Sequence, residues 1–548
     1  MSRAWLNGWT LFTLLIAALV SIPVMVVVSN VFVPTGEIWN HLAATVLPRY
    51  IANSFWLILG VGTGVLIIGI GTAWLVTMCR FPGRRTMEWA LLVPMAVPAY
   101  VIAYTYTGLF EFAGPVQTAL REASGWTRQD YWFPEIRSLG GAITMMTLVF
   151  YPYVYLLTRA AFLEQSVCVL EVSRTLGCGP WRSFFSVALP LARPGIVAGL
   201  TLALMETLND FGTVQYFAVD TFTTGIYRTW LGMGEAAAAA QLAAVLLLFI
   251  FALVLLERWS RGGARFHHTS VRYRPLPRHR LRGLRATLAL TACLLPIFLG
   301  FLLPGGALLT WTVESAGEMI DARFARLVLN SFALAATAAV LAVAIAVLMA
   351  YGLRLRATKV MMLAARVASM GYAVPGTVIA VGVLLPFAWM DNAVDAWMRT
   401  TFGVSTGLLL TGTIAAVIFA YLVRFLAISF NTVEASLAKV TNSMDDAARS
   451  LGHGPASMLA RVHMPMIRGS LLTAGLLVFV EVMKELPATL IIRPFNFDTL
   501  AIRVYELAVD ERLIESSSPA LAIVLVGIIP VILLSMAITR SRPGHGKG

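Results

Sequence analysis

The chain has 548 residues, of which 58% are hydrophobic and only 13% charged, with a formal net charge of +13 and a mean hydropathy of +0.79. A soluble domain carries roughly 25% charged residues, so this composition excludes a water-soluble enzyme and points to a membrane protein. The positive charge sits in short segments between apolar runs, which argues against nucleic acid as its target.

Apolar runs near the length of about 20 residues that a bilayer requires recur along the chain. They predict spans at 9–31, 54–79, 88–110, 139–163, 194–217 and 238–257, then at 286–311, 330–353, 365–390, 407–430, 470–492 and 518–539. The first run is too long for a signal-peptide core and no small-residue cleavage site follows it, so a retained span is expected. The second run contains Gly60, Gly62, Gly64, Gly69 and Gly71. Inside an apolar span this pattern predicts close helix packing rather than a nucleotide loop. Pro98 and Pro375 fall inside the third and ninth predicted spans; a kink is the expected result, and a freed backbone lining a pathway is the alternative.

Charge sets the orientation. Arg80, Arg84 and Arg85 follow the second span, Arg354, Arg356 and Lys359 the eighth, and Arg540, Arg542 and Lys547 the last. The linker 258–285 has nine Arg and no Asp or Glu, and reads as a solvated tether. The alternate loop 493–515 has five acids against three Arg. The positive-inside rule then places both termini and the linker in the cytoplasm. The cysteines, Cys79, Cys168, Cys178 and Cys293, all fall in membrane or cytoplasmic segments, so no structural disulfide is expected.

The chain also repeats itself. Arg174-Thr175-Leu176-Gly177-Cys178-Gly179-Pro180 is answered 275 residues later by Arg449-Ser450-Leu451-Gly452-His453-Gly454-Pro455. The same offset relates Pro190 to Pro465, Glu206 to Glu481 and Arg228 to Arg503; an offset of 277 relates Asn53-Ser54-Phe55 to Asn330-Ser331-Phe332 and Pro98 to Pro375. Two fused copies of one unit explain this, a first repeat at 1–257 and a second at 286–548. A duplicated membrane unit suggests a pathway between halves. The fold class expected is an all-α membrane protein of about 12 transmembrane helices in two tandem six-span repeats.

The duplicated loops lie between the fourth and fifth spans of each repeat, at about 164–194 and 434–469. Each begins with an acid, Glu171 or Asp446, suited to a helix N-terminus. Each has a helix-ending glycine, Gly177 or Gly452. A Gly-Pro turn follows, and a second short helix is expected to reach Pro190 or Pro465, where the chain turns into the membrane. This pattern resembles the EAA loop of binding-protein-dependent ABC importer permeases, whose repeats have the MetI-like fold. Asp446-Ala447-Ala448 is close to that family's Glu-Ala-Ala; Glu171-Val172-Ser173 departs from it but keeps the acid. The resemblance implies that Glu171, Arg174, Gly177, Pro190, Asp446, Arg449, Gly452 and Pro465 couple the chain to two copies of a cytoplasmic ATPase subunit. It also implies that a periplasmic substrate-binding protein delivers cargo, and that the chain sits in a bacterial inner membrane. The stretches Met205–Gly212, Thr223–Arg228, Val482–Leu490 and Arg493–Ala501 resemble the ferric-iron branch; fused thiamine and phosphonate permeases share the architecture. The chain has no G-x-x-x-x-G-K-[ST] loop of its own. No cofactor, resident metal or catalytic residue is expected.

Charges within spans are the remaining signal. Glu206 lies twelve residues past Pro194, about 18 Å along a helix and so near mid-membrane, with Asp210 one turn further on the same face. Glu481 and Glu485 repeat the arrangement. Such acids face a cavity or a partner. They could line a translocation path for a hard cation, or pair structurally, with Lys484 able to neutralise either acid of the second repeat. Tyr100, Tyr104, Tyr106, Tyr151, Tyr153 and Tyr155 read as packing and interfacial residues rather than iron ligands, and His267-His268 as solvated. Two rivals remain, a gradient-driven 6+6 transporter and a membrane-embedded enzyme. The first leaves the matched loops unexplained, and the second lacks a nucleophile or base cluster.

Overall fold

The structure is a computed structural model that describes residues 8–164, 179–261 and 278–540. Among these residues, eleven helices are long and apolar enough to cross a bilayer, and twelve if the pair Arg84–Ala96 and Ala99–Ser124, bent by 89°, counts as one span. The six-plus-six pattern follows the predicted spans, with breaks where sequence alone drew continuous ones. Val97 and Val374 are extended (ψ 121° and 126°), the conformation that a following proline imposes. Pro98 and Pro375 then stand immediately before the helices Ala99–Phe110 and Gly376–Phe402. They therefore start helices after a break and do not kink a continuous span.

The helices gather into two compact units, and these cut across the sequence repeats. The first comprises Met1–Leu42, Gly225–Leu247 and Ile320–Arg503. Its core is from the second repeat: Ala322–Leu355, Ile414–Leu437 and Met464–Met483 pack together. The helix Gly8–Ser29, from the first repeat, packs on Gly376–Phe402 and Lys359–Ala368. Gln241, on the last span of the first repeat, donates to the carbonyls of Asn30 and Val33 at 3.2 and 2.7 Å and accepts from Thr35 at 2.6 Å.

The second unit comprises Ala43–Thr224, Leu248–Met319 and Val504–Gly548. Here Leu47–Met78, Leu139–Glu164 and Leu189–Asn209 form the core, and Leu303–Met319 packs on Leu513–Arg540, both from the second repeat. The core of the first unit is therefore packed on by the first span of the other repeat, and that of the second unit by first and last spans of the other repeat.

The glycines of the second span do what close packing requires. A Cβ on Gly60, Gly64 or Gly69 would come within 2.7, 2.6 and 2.7 Å of Ile143, Thr147 and Val154, all on the helix Leu139–Glu164. A Cβ on Gly62 would meet Leu204 at an ordinary contact distance of 3.5 Å, and Gly71 faces open space. Cys79 and Cys293 are buried free thiols; Cys168 and Cys178 lie outside the described residues. The linker is no simple tether at its described end. His279-Arg280 pairs in parallel with Cys79-Arg80, and Leu281 N–H donates to Arg80 O at 3.0 Å. Its middle, 262–277, including His267-His268, lies outside the described residues.

At Gly69, Val154 Cβ and the Tyr155 backbone stand too close to move aside. Gly69→Leu is expected to destabilise the protein by about 1–3 kcal/mol, read as a lowered unfolding temperature in detergent, whereas Gly71→Leu leaves it near wild type.

Candidate functional site

The loop between the fourth and fifth spans is described in the second repeat. Asn442–Ser450 is a helix. Gly452 adopts φ +81°, with its N–H on Arg449 O (2.9 Å) and the His453 N–H on Ala448 O (3.1 Å). These are the two bonds of a Schellman stop, which glycine permits because it has no Cβ to clash in the left-handed region. Pro455 then opens the next helix, at the one end where a missing N–H is harmless.

Asp446 and Arg449 lie on the outer face of this helix, 71% and 59% exposed and 3.3 Å apart. Leu451 beside them is 78% exposed, an apolar side chain left for something to cover. In the first repeat, Glu171, Arg174 and Gly177 lie outside the described residues.

The expected turn into the membrane at Pro465 and Pro190 is absent. The helix runs straight through each proline, after a π-helical turn at Leu459–His463 and at Phe184–Ala188, again 275 residues apart. A proline ring in a regular helix strikes the carbonyl four residues back. One widened turn, with Met464 N–H on Leu459 O and Leu189 N–H on Phe184 O, relieves that clash without ending the helix.

Beneath the exposed face lies a buried relay. Asp445, next to Asp446 but turned inward and only 6% exposed, receives Arg354 Nε at 3.0 Å and stands 2.8 Å from His463 Nε2. Arg354 also donates to the carbonyls of Leu437 and Val440 at 2.6 and 2.8 Å, serving the C-terminal end of Ile414–Leu437, where a cation is favoured. Burial by itself would raise the Asp445 carboxyl, but the hydrogen bonds and charges of Arg354 and His463 outweigh it and hold its pKa below the ordinary 3.8. A lowered folded-state value means that this contribution to stability is present at neutral pH and is lost only as pH falls through that lowered value. Tyr351 completes the knot, donating to Pro455 O at 2.7 Å with its ring against His463.

The acids near the C-terminal ends of the fifth spans are placed differently from the expectation. Glu206 and Glu481 are on helices, but those helices end at Asn209 and Met483. Asp210 is extended (ψ 134°), so it does not share a helical face with Glu206. It accepts from the N–H groups of Thr213 and Val214 at 3.0 and 3.2 Å and from the Thr213 hydroxyl at 3.0 Å, where the short helix Gly212–Tyr216 begins. Glu485 does the same for Pro487–Ile492, accepting from Ala488 and Thr489 N–H at 3.0 Å each. Both carboxylates thus satisfy amides that the chain break would leave unpaired.

Glu481 pairs with Lys484 at 2.8 Å. Glu485 pairs with Arg424 instead, at 3.0 Å, both nearly fully buried. Arg424 went unremarked in the sequence, although a lone arginine within the predicted span 407–430 is itself a signal of a buried partner. The first repeat has no such cation: offsets of 275 to 277 from Arg424 fall on Val149, Leu148 and Thr147.

The duplicated Asn53 and Asn330 also have one job. Each donates to a backbone carbonyl just past the short helix that follows the fifth span, Asp220 O at 2.8 Å and Asp498 O at 3.2 Å. The tyrosines serve packing: Tyr106 and Tyr155 donate to the carbonyls of Leu299 and Glu88, and Tyr104 packs edge-on to Tyr216. Among the described residues no three His, Cys, Asp or Glu side chains converge as a metal site.

Residues 65–261 match the family described as "Binding-protein-dependent transport system inner membrane component". The chain is similar over 494 residues, at 27% identity, to the Fe(3+)-transport system permease protein FbpB 2 of Haemophilus influenzae, covering 89% of this chain and 90% of that protein. It is 22% identical over 506 residues to the ferric transport system permease protein FbpB of Actinobacillus pleuropneumoniae, covering 89% and 70%. A shorter similarity, 28% over 200 residues, relates 35% of the chain to 84% of the molybdenum transport system permease protein ModB of Escherichia coli. The chain is a mostly helical, multi-pass membrane protein, and over most of its length it is similar to ferric-iron transport permeases.

The Arg424–Glu485 pair makes a stability prediction. Removing one partner of a buried pair costs about 3–5 kcal/mol, whereas removing both charges costs far less. Arg424→Leu is expected to lower the unfolding temperature sharply, and adding Glu485→Gln to Arg424→Leu to recover part of the loss, because the uncharged glutamine leaves no unpaired buried charge and its one carbonyl oxygen still accepts from one of the two capped amides.

Proposed function

We propose that the chain is the membrane subunit of an ATP-driven importer that takes ferric iron from a periplasmic binding protein into the cytoplasm. The observation that carries this reading is the exposed helix Asn442–Ser450. Asp446, Arg449 and, just past its end, Leu451 are exposed at the junction of two spans, and the motif across that end recurs in the first repeat, where Arg174, Leu176, Gly177, Gly179 and Pro180 answer Arg449, Leu451, Gly452, Gly454 and Pro455. A short amphipathic helix with uncovered apolar residues suits a groove in a partner.

In this reading Glu171, Arg174, Gly177 and Pro190 with Asp446, Arg449, Gly452 and Pro465 form two coupling loops, each seated on one of two ATPase subunits. Both termini and the basic linker face the cytoplasm, as the arginine distribution favours. ATP-driven closure of the two ATPases moves the loops, and the helices continuing through Pro190 and Pro465 transmit that movement to their far ends. Those ends carry Glu206 and Glu481, the groups proposed to meet a hard cation in passage. Asp210 and Glu485, within the same stretch of path, hold the chain breaks open by capping them. The iron assignment rests on the two full-length similarities to ferric permeases.

Two measurements test this. The complex purified with its native partners should show ATP-dependent uptake of ferric iron in proteoliposomes, with iron on the binding protein. Thiamine or an oxyanion there would overturn the substrate and leave the permease standing, and ATP-independent uptake would overturn the permease. Glu206→Gln with Glu481→Gln should cut uptake by at least about tenfold, equal to ~1.4 kcal/mol, while the ATPase still co-purifies; undiminished uptake would remove these acids from the path.

A further inference from the structure

The outward-facing Asp446, Arg449 and Leu451 of the second repeat have like residues at the repeat offset, Glu171, Arg174 and Leu176, whereas the residues beneath them do not. In the second repeat the inward face is held by charge. Asp445 is clasped by Arg354 from the end of Ala322–Leu355 and contacts His463 at the start of the fifth span. Arg354 in turn holds the carbonyls that close the fourth span. One buried carboxylate therefore ties the loop helix to three membrane helices at once.

At the repeat offsets, Asp445 corresponds to Leu170, His463 to Ala188 and Arg354 to Thr77. None of these can carry charge. The first repeat has an ion cluster of its own, with Glu88 between Arg84 and Arg159, which among the described residues joins the third and fourth spans.

We propose that Arg354, Asp445 and His463 are positioning residues that make the second coupling loop a rigid lever, and that the conformational drive therefore enters transport mainly through the second repeat. The inference rests on the reading of this loop as the ATPase-docking element. A helix whose outer face is held by a partner passes on movement only if its inner face cannot slip. Charge-assisted bonds in a buried setting have a fixed direction and length, and slipping leaves a buried carboxylate unpaired. An apolar face such as that implied by Leu170 and Ala188 has no such directional restraint.

The test uses the full complex with its ATPase and binding protein in proteoliposomes, reading ATP hydrolysis and ferric-iron uptake together. His463→Ala gives the second repeat the residue of the first. It should leave ATPase co-purification and hydrolysis near wild type and lower the iron moved per ATP by at least about fivefold, the lower end of usual coupling strengths. His463→Gln, whose amide can reach Asp445, should restore most of that ratio. Hydrogen exchange over residues 442–450 should quicken in the alanine variant and not in the glutamine variant.

If His463→Ala does not assemble, Arg354→Lys carries the same comparison, since lysine keeps the charge but cannot make the forked contacts. An unchanged ratio, or a loss of hydrolysis and uptake in equal proportion, would overturn the lever. Failure of the wild-type complex to couple ATP to uptake would instead overturn the functional reading itself, so the two failures are separable.

Discussion

A bilayer offers no water to a broken helix, and this protein breaks a helix at the same place in both repeats. The break after the fifth span would leave amide N–H groups unpaired in an apolar setting. In each repeat a carboxylate closes the deficit: Asp210 on Thr213 and Val214, Glu485 on Ala488 and Thr489. The carboxylate then needs an environment that tolerates its charge. The second repeat supplies Arg424 and the first has no residue of that kind at the matching place. The short helices that follow the fifth spans, the asparagine ties from Asn53 and Asn330, and the loops they hold all depend on this arrangement.

The same division of labour recurs at the other end of the fifth span. Both repeats keep the glycine, the proline and the π-helical turn that lets the helix pass through Pro190 and Pro465. The second adds a buried ionic relay, whose three members are answered in the first by the uncharged Thr77, Leu170 and Ala188. Duplication has preserved the backbone devices and let the charges that stiffen them diverge. A backbone device is needed wherever the chain follows the same path, whereas a buried ion pair stabilises only when all its members are present.

Legibility in the sequence followed this division. The spans were readable because twenty apolar residues in a row have few other fates. The glycine stop at Gly452 was readable because its conformation is a local matter, and so was the packing role of Gly60, Gly64 and Gly69. The buried charges were not. Asp445 and Asp446 are neighbours in sequence, and nothing local says that the first turns inward to Arg354 and His463 while the second faces out. Asp210 was placed on a helical face because the pattern of apolar residues continues past it, though the helix does not. A comparison of the two repeats for unmatched charges would have singled out Asp445, His463 and Arg424.

The sequence by itself determined the membrane class, the twelve crossings, the duplication and the loop whose motif resembles that of importer permeases. These follow from composition, periodicity and repetition, each a property of residues near one another in the chain. Only the tertiary structure decided where the helices break, which acids are capped and paired, and which spans clothe which core. The exchange of first and last spans between repeats is the clearest case. A span that is apolar all round is equally suited to lipid or to either neighbour, so its own residues do not name its partner; the shape of the packed core does.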